Sequence, residues 1–164
     1  MKILCNVNLS NDVIADIMNK LEMVGSITRL QDDSDDDSYI VSCHLEHVPI
    51  NTQLEVEFII TPGQYSNETI KAFNAIPGFI KYVDNALNNL HPEILDNLRT
   101  YLLSEMEGLV IRMRFIEGVG FEYLIGYQSE DFFSVQGHRS FKSAFDFWHK
   151  DLAWMFHNNT VSRR

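Results

Sequence analysis

Apolar residues recur along the chain with two spacings, one at every second position and one at every third or fourth position. The first spacing predicts β-strands, and the second predicts amphipathic helices. Strand spacing covers residues 2–7, 26–30, 39–47, 53–60, 109–117 and 121–127, and a further short strand is predicted at 132–137. Helical spacing covers residues 13–24, 68–76, 79–90, 92–106 and 140–157.

The order of these elements predicts an α+β fold. Strands and helices do not alternate strictly, so we expect a single antiparallel (or mixed) sheet with helices covering one face. In residues 53–60, the apolar Leu54, Val56 and Phe58 alternate with Glu55 and Glu57. That alternation is typical of an antiparallel strand with one packed face and one face in water.

Residues 109–117 and 121–127 form the clearest predicted hairpin, joined at Gly118-Val119-Gly120. Arg112 and Arg114 point away from the apolar face of the first strand, where Glu122 is placed to pair across the strands. The glycine pair lacks the third glycine of a dinucleotide-binding loop and joins two strands instead of a strand and a helix. We therefore expect a turn there.

The 164 residues fit one domain, which we place at residues 1–160 with a frayed tail at 161–164. We expect Pro77-Gly78 to separate the helical segment at 68–76 from the one at 79–90. The apolar runs fall far short of the roughly 20 residues that a membrane span needs. The N-terminal residues make a poor signal peptide, so we expect a cytoplasmic protein with no membrane contact.

Two cysteines, Cys5 and Cys43, are too few for a disulfide framework. Each lies within an alternating apolar pattern, and free cysteine is among the most buried residue types. We expect reduced core thiols, with a reactive or bridging role as the alternative.

Net charge is −10, from 13 basic and 23 acidic side chains, and it is unevenly distributed. Five of the acids fall within six positions: Asp32, Asp33, Asp35, Asp36 and Asp37. Residues 132–164 hold five bases and two acids, a local charge of +3. Nucleic-acid binding needs a broad basic face, so this distribution argues against it.

The aspartate cluster has three interpretations: a metal loop, a docking surface for a basic partner, or a solvated connection. An EF-hand needs glycine at its sixth position and glutamate at its twelfth. Counted from Asp33, Ser38 and His44 occupy those positions, so we expect no calcium site. The predicted loop, together with Glu55 and Glu57, remains a candidate docking surface for a basic protein.

The segment around His44, Glu46 and His47 invites two enzyme hypotheses. His44 and Glu46 form half of a zinc deaminase signature, but the chain lacks the Pro-Cys-x-x-Cys pair that this chemistry requires. On a strand, His44 and His47 point to opposite faces and do not converge on one ion. We assign no catalytic residue, no metal site and no cofactor.

A small basic cluster lies at the start of the last predicted helix: His138, Arg139, Ser140 and Lys142. A helix N-terminus offers free N–H groups and a partial positive charge, which suit a phosphate or carboxylate. In the alternative interpretation, Ser140 caps the helix and the bases keep it soluble, or a nearby aspartate pairs with them.

Phe147 and Trp154 fall outside the apolar stripe of that helix, seven residues apart and close to each other. Large aromatic side chains outside a core face are candidate anchors for a partner. The alternative is that a second element, such as residues 79–90, covers them.

Two functional hypotheses follow. The first is a non-catalytic acidic interaction protein, such as an inhibitor, immunity factor or adaptor, that docks a basic or partly apolar protein. The second is an anion- or nucleotide-binding domain, or a small enzyme, with its ligand at the N-terminus of the last helix. The sequence leaves a homodimer open.

Overall fold

The computed structural model describes residues 1–6, 10–22, 27–33, 38–43, 50–61, 66–105, 108–128 and 137–162. Within these ranges the strands are β1 (Lys2–Cys5), β2 (Ile27–Asp33), β3 (Ser38–Cys43), β4 (Thr52–Ile59), β5 (Leu109–Ile116) and β6 (Gly120–Tyr127). The helices are α1 (Asn11–Glu22), α2 (Asn67–Asn74), α3 (Ile76–Asn88), α4 (Pro92–Glu105) and α5 (Phe141–Ser162).

The strands form one mixed sheet in the order β2-β3-β1-β4-β5-β6. β4 is parallel to both of its neighbours, β1 and β5, while the other pairs are antiparallel. Parallel neighbours need a long crossover connection, which α2, α3 and α4 provide between β4 and β5. The predicted α+β fold with a single sheet is confirmed.

The core lies between the helices and one face of the sheet. Strand register places Ile3, Val56 and Met113 side by side on this inner face. Residues from the helices complete the same buried cluster, including Phe73 of α2 and Leu152 of α5. The expectation that helices cover one face is confirmed.

The antiparallel interpretation of β4 is wrong, because both of its neighbours run parallel to it. Its alternation has another cause. The inner side chains Leu54, Val56 and Phe58 enter the core, whereas Glu55 and Glu57 face two arginines on β5. The polar side chains of β4 thus face arginines of the neighbouring strand, and Glu55 is only 8% exposed.

The helix break near Pro77-Gly78 lies slightly earlier than predicted. α2 ends at Asn74 and α3 begins at Ile76, with Ala75 as the shared boundary residue. Pro77 stands in the first turn of α3, where its missing N–H has no helical partner to lose. The proline therefore starts the second helix and does not separate the two.

The prediction of a loop throughout the aspartate cluster is wrong for its first two members. β2 extends through Asp32 and Asp33, which pair with Tyr39 and Ser38 of β3. The backbone pairing of the two strands continues past the apolar positions from which the end of β2 was predicted. Asp35, Asp36 and Asp37 lie outside the described residues, as do His44, Glu46, His47 and residues 132–136 of the strand predicted at 132–137.

α5 continues to Ser162, so residues 161 and 162, which were expected in a frayed tail, are helical. The preceding chain joins the sheet at His138, whose backbone forms an isolated antiparallel bridge with Tyr123 of β6. In the part of the chain that the structure describes, no helix has the length and apolar character needed to cross a bilayer.

Candidate functional site

The outer face of the sheet carries a row of alternating charges, formed by Glu55, Arg112, Glu57, Arg114 and Glu122. We call these five residues the charged row. Arg112 pairs with Glu55, to which its Nε donates at 2.8 Å, and its second contact is Glu57 at 3.4 Å. Arg114 donates to Glu57 at 2.7 Å and approaches Glu122 at 3.5 Å. The cross-strand pairing predicted for Arg114 and Glu122 is present in the sheet register.

The charged row is poorly exposed for a set of five ionised groups. The Arg112 and Arg114 side chains are only 13% and 14% exposed. Charges at this depth are stable when they are paired and hydrogen-bonded. The carboxylates of Glu55 and Glu57, which were candidates for docking a basic partner, are therefore already occupied by arginines of the same chain.

Ser140 caps the N-terminus of α5. Ser140 Oγ accepts a hydrogen bond from the backbone N–H of Ser143 at 3.1 Å, as a capping serine does. His138 Nδ1 lies 3.2 Å from Ser143 Oγ. Of the four predicted anion-site residues, His138 and Ser140 both contact Ser143, with Ser140 engaged as a cap, while Arg139 is exposed.

Lys142 is paired as well. Its Nζ lies 2.9 Å from Asp146 Oδ2, one turn further along α5. The hydrogen bond and charge of Asp146 raise the pKa of Lys142. Conversely, the hydrogen bond from Lys142 holds the pKa of Asp146 below its ordinary value. An incoming phosphate would have to compete with the Asp146 carboxylate for this lysine.

Phe147 and Trp154 lie on the outer side of α5, where they are 57% and 68% exposed. Seven residues of helix separate them by roughly 10 Å along the axis. The Phe147 ring contacts the His138 ring at a centroid distance of 5.2 Å. We call the surface that contains Phe147 and Trp154 the aromatic face of α5.

A groove of about 380 Å³ runs between α3 and the first turns of α5. We call it the α3–α5 groove. Its polar lining comes from both sides: Tyr82, Asn85 and Asn89 from α3 and its end, and Lys142, Asp146 and His149 from α5. Between these groups lie apolar side chains, including the partly buried ring of Phe145.

Sequence reasoning found only Lys142 among these groove residues. A signal was present, because Tyr82, Asn85 and Asn89 follow each other at helical spacing beside the apolar stripe of α3. The same spacing relates Lys142, Asp146 and His149 on α5. Each set alone looks like an ordinary solvated helix flank, and only the packing of α3 beside α5 brings the two together.

Cys5 is buried and forms no disulfide, as predicted. The described residues contain no group of three or more histidine, cysteine, aspartate or glutamate side chains that could hold a metal ion. The side chains of Cys43 and of the His44–His47 segment lie outside this description.

Comparisons of the chain with family models, curated proteins and solved structures returned no match. A function for this protein is therefore inferred from its own residues alone.

Proposed function

We propose that the protein is a non-catalytic interaction protein that docks a basic protein partner through the aromatic face of α5. The single observation that carries this proposal is the exposure of two large aromatic side chains, Phe147 and Trp154, on one side of one helix. Inhibitors, immunity factors and adaptors are proteins of this general kind.

A partner that covers Phe147 and Trp154 removes apolar surface from water, which favours binding. A rigid aromatic side chain brings a large contact area at a small cost in side-chain entropy. Tryptophan and tyrosine are enriched among the residues that dominate binding energy, and such residues cluster near the centre of an interface. Phe147 and Trp154 have this size and closeness, and the exposed Lys150 and Asp151 lie between them along α5.

The net charge of the protein favours a basic partner. A net charge of −10 attracts a positively charged protein over a distance and raises its association rate. The Asp32–Asp37 cluster supplies five of those charges, whereas Glu55 and Glu57 are compensated by arginines. We therefore propose that the aspartates attract the partner at long range and that the aromatic face of α5 forms the contact with it.

The test compares the wild type with the double variant F147A/W154A. Each protein is immobilised and exposed to lysate of the native host, and a protein captured by the wild type is then purified for calorimetry. We expect a basic partner with defined stoichiometry whose affinity for F147A/W154A is lower than for the wild type by roughly 30-fold or more. Burial of Trp154 should also shift the fluorescence of the wild type.

The matched control is I70S/V119S, which removes two exposed aliphatic side chains from α2 and from the β5–β6 turn. This control should bind the partner like the wild type. All three proteins should unfold at similar urea concentrations, since the altered side chains are exposed. Equal binding by F147A/W154A and the wild type would refute the proposed contact.

Anion binding at the N-terminus of α5 is the alternative, and it has weaker support. Ser140 is engaged as the helix cap, and Lys142 is paired with Asp146. Arg139 remains exposed there. No observation favours this function over docking.

A further inference from the structure

We propose that the α3–α5 groove binds a neutral saccharide. This inference does not depend on the proposed docking function. At about 100° per residue, the groove side of α5 is turned away from its aromatic face by about 100° or more. The two surfaces can therefore be occupied, and tested, separately.

The α3 wall of the groove is neutral and rich in hydrogen-bonding groups. Tyr82, Asn85 and Asn89 line one wall of the groove. A phenol and two carboxamides are neutral, and each of these groups can both donate and accept hydrogen bonds. Sugar hydroxyls have the same dual capacity, so a wall of this composition fits a polyhydroxylated ligand.

The opposite wall of the groove, on α5, carries a pair of opposite charges. Lys142 and Asp146 form an ion pair with a 2.9 Å contact, so their charges cancel within the groove. An anion would meet the Asp146 carboxylate, and a cation would meet the Lys142 ammonium. A neutral ligand avoids both penalties and can use the remaining donors of Lys142 and acceptors of Asp146.

The groove also offers an apolar surface to a ligand. Ala86, Leu90 and Phe145 lie between the polar groups. The Phe145 ring is partly buried and packs 5.5 Å from Trp148, so it is held in place. The C–H face of a pyranose ring can lie against such a surface while its hydroxyls reach the walls.

The size of the groove is compatible with this ligand. Its volume of about 380 Å³ lies near the lower end of the range for small-molecule sites. A mono- or disaccharide suits a groove of that size.

The experiment is an NMR titration of the labelled protein with a panel of neutral hexoses, N-acetylhexosamines and their disaccharides. Inorganic phosphate and adenosine monophosphate form a parallel panel. We expect saturable shifts of α3 and α5 backbone amides near the groove with at least one neutral saccharide. Phosphate and the nucleotide should leave these amides unchanged.

Two variants test which groups make the site. Asn85→Ala removes one carboxamide from an exposed helix position, and Asp146→Asn removes the acidic half of the ion pair. Each should weaken saccharide binding roughly five- to tenfold, the effect of losing about one hydrogen bond. The matched controls are Asn88→Ala, on α3 outside the groove lining, and Phe147→Ala, on the aromatic face; both should bind like the wild type.

Three results would overturn the inference. The first is that no saccharide shifts the groove amides. The second is that saccharide binding survives both Asn85→Ala and Asp146→Asn unchanged. The third is that phosphate or the nucleotide binds instead, and more tightly in Asp146→Asn, which would make Lys142 the centre of an anion site.

Discussion

On the outer face of the sheet, the effect of a charged residue depends on the residue with which it is paired. Glu55 and Glu57 have the spacing of solvated strand residues, yet their carboxylates contact Arg112 and Arg114 of the neighbouring strand. The sequence predicted which face these side chains share. It did not predict that β4 and β5 are neighbours, because 57 positions separate Glu55 from Arg112.

Removing Arg112 should therefore destabilise the protein. Arg112→Ala leaves the carboxylate of Glu55, which is only 8% exposed, without its arginine, whereas Glu57 keeps its pairing with Arg114. We expect a loss of about 2–4 kcal/mol in the free energy of unfolding. Urea denaturation monitored by circular dichroism measures this difference.

Arg99→Ala is the matched control for this substitution, because Arg99 is 48% exposed and its ion pair with Asp96 spans 3.6 Å. Its cost should stay below about 1 kcal/mol. Equal losses in the two variants would contradict the structural role of the charged row.

The Lys142–Asp146 pair makes a pH prediction. The pKa of Asp146 is lowered by its hydrogen bond from Lys142. The stabilisation by this carboxylate is therefore present above the unfolded pKa and is lost as pH falls through the lower, folded pKa. NMR titration should give Asp146 a pKa below the ordinary aspartate value of about 3.9, and Lys142→Gln should return it toward that value. An unchanged pKa in Lys142→Gln would refute the pairing in solution.

At the scale of elements, local sequence signals placed helices and strands well and their ends less well. Proline in a helix interior is disruptive, but at the first turn it is favourable. The position of Pro77 relative to the helix start, which the apolar pattern fixes only to within a few residues, decided between these two outcomes. β2 similarly continued beyond Leu30, since its backbone pairing with β3 does not require apolar side chains.

Two glycine substitutions test these element boundaries with opposite signs. Gly78 lies in the first turn of α3 with nothing near the position of an added Cβ. Gly78→Ala should therefore raise the free energy of unfolding by about 0.5–1 kcal/mol, since it reduces the freedom of the unfolded chain.

Gly118 has φ +81° in the β5–β6 turn, a conformation that costs an alanine roughly 1–2 kcal/mol. Gly118→Ala should therefore lower the free energy of unfolding. Parallel urea titrations measure both effects, and a change of the same sign in the two variants would contradict the assigned positions.

At the scale of the whole molecule, the uneven distribution of charge is the property that acts on a partner at the longest range. Net charge is −10, and the aspartate cluster carries half of it. The ion pairs of the charged row are internal to the sheet and contribute only −1 to that total. The attraction of a cationic partner should therefore depend mainly on the aspartates and on acids elsewhere on the surface.

Replacing all five aspartates of the cluster by serine should leave the fold intact and reduce the net charge from −10 to −5. Urea denaturation checks the fold. Stopped-flow association with a fluorescent lysine-rich peptide should become slower than for the wild type at low salt. The difference should shrink at physiological salt, where the Debye length is about 8 Å.

A scattered-charge control separates clustering from net charge. Neutral amides at Asp12, Glu68, Glu93, Asp96 and Asp151, which are all exposed, also give a net charge of −5. If both variants slow association equally, the cluster has no special role. Unfolding of the serine variant would show that the aspartates are needed for the fold.

The sequence by itself determined the α+β class, the approximate positions of the elements and the face on which each side chain lies. These properties follow from local periodicity, because a helix and a strand repeat at fixed intervals that apolar residues record. It also determined that Phe147 and Trp154 leave the core stripe of α5, since that is a matter of angle around one helix.

Apart from the β5–β6 hairpin, which the sequence predicted, only the tertiary structure decided which elements are neighbours. It paired β4 with β5 in parallel, placed Arg112 and Arg114 against Glu55 and Glu57, and set α3 beside α5. Local periodicity carries no information on contacts between residues that lie far apart along the chain, such as Glu57 and Arg112, which are 55 positions apart. For this reason the groove could not be predicted from the sequence, although the sequence contains every residue that lines it.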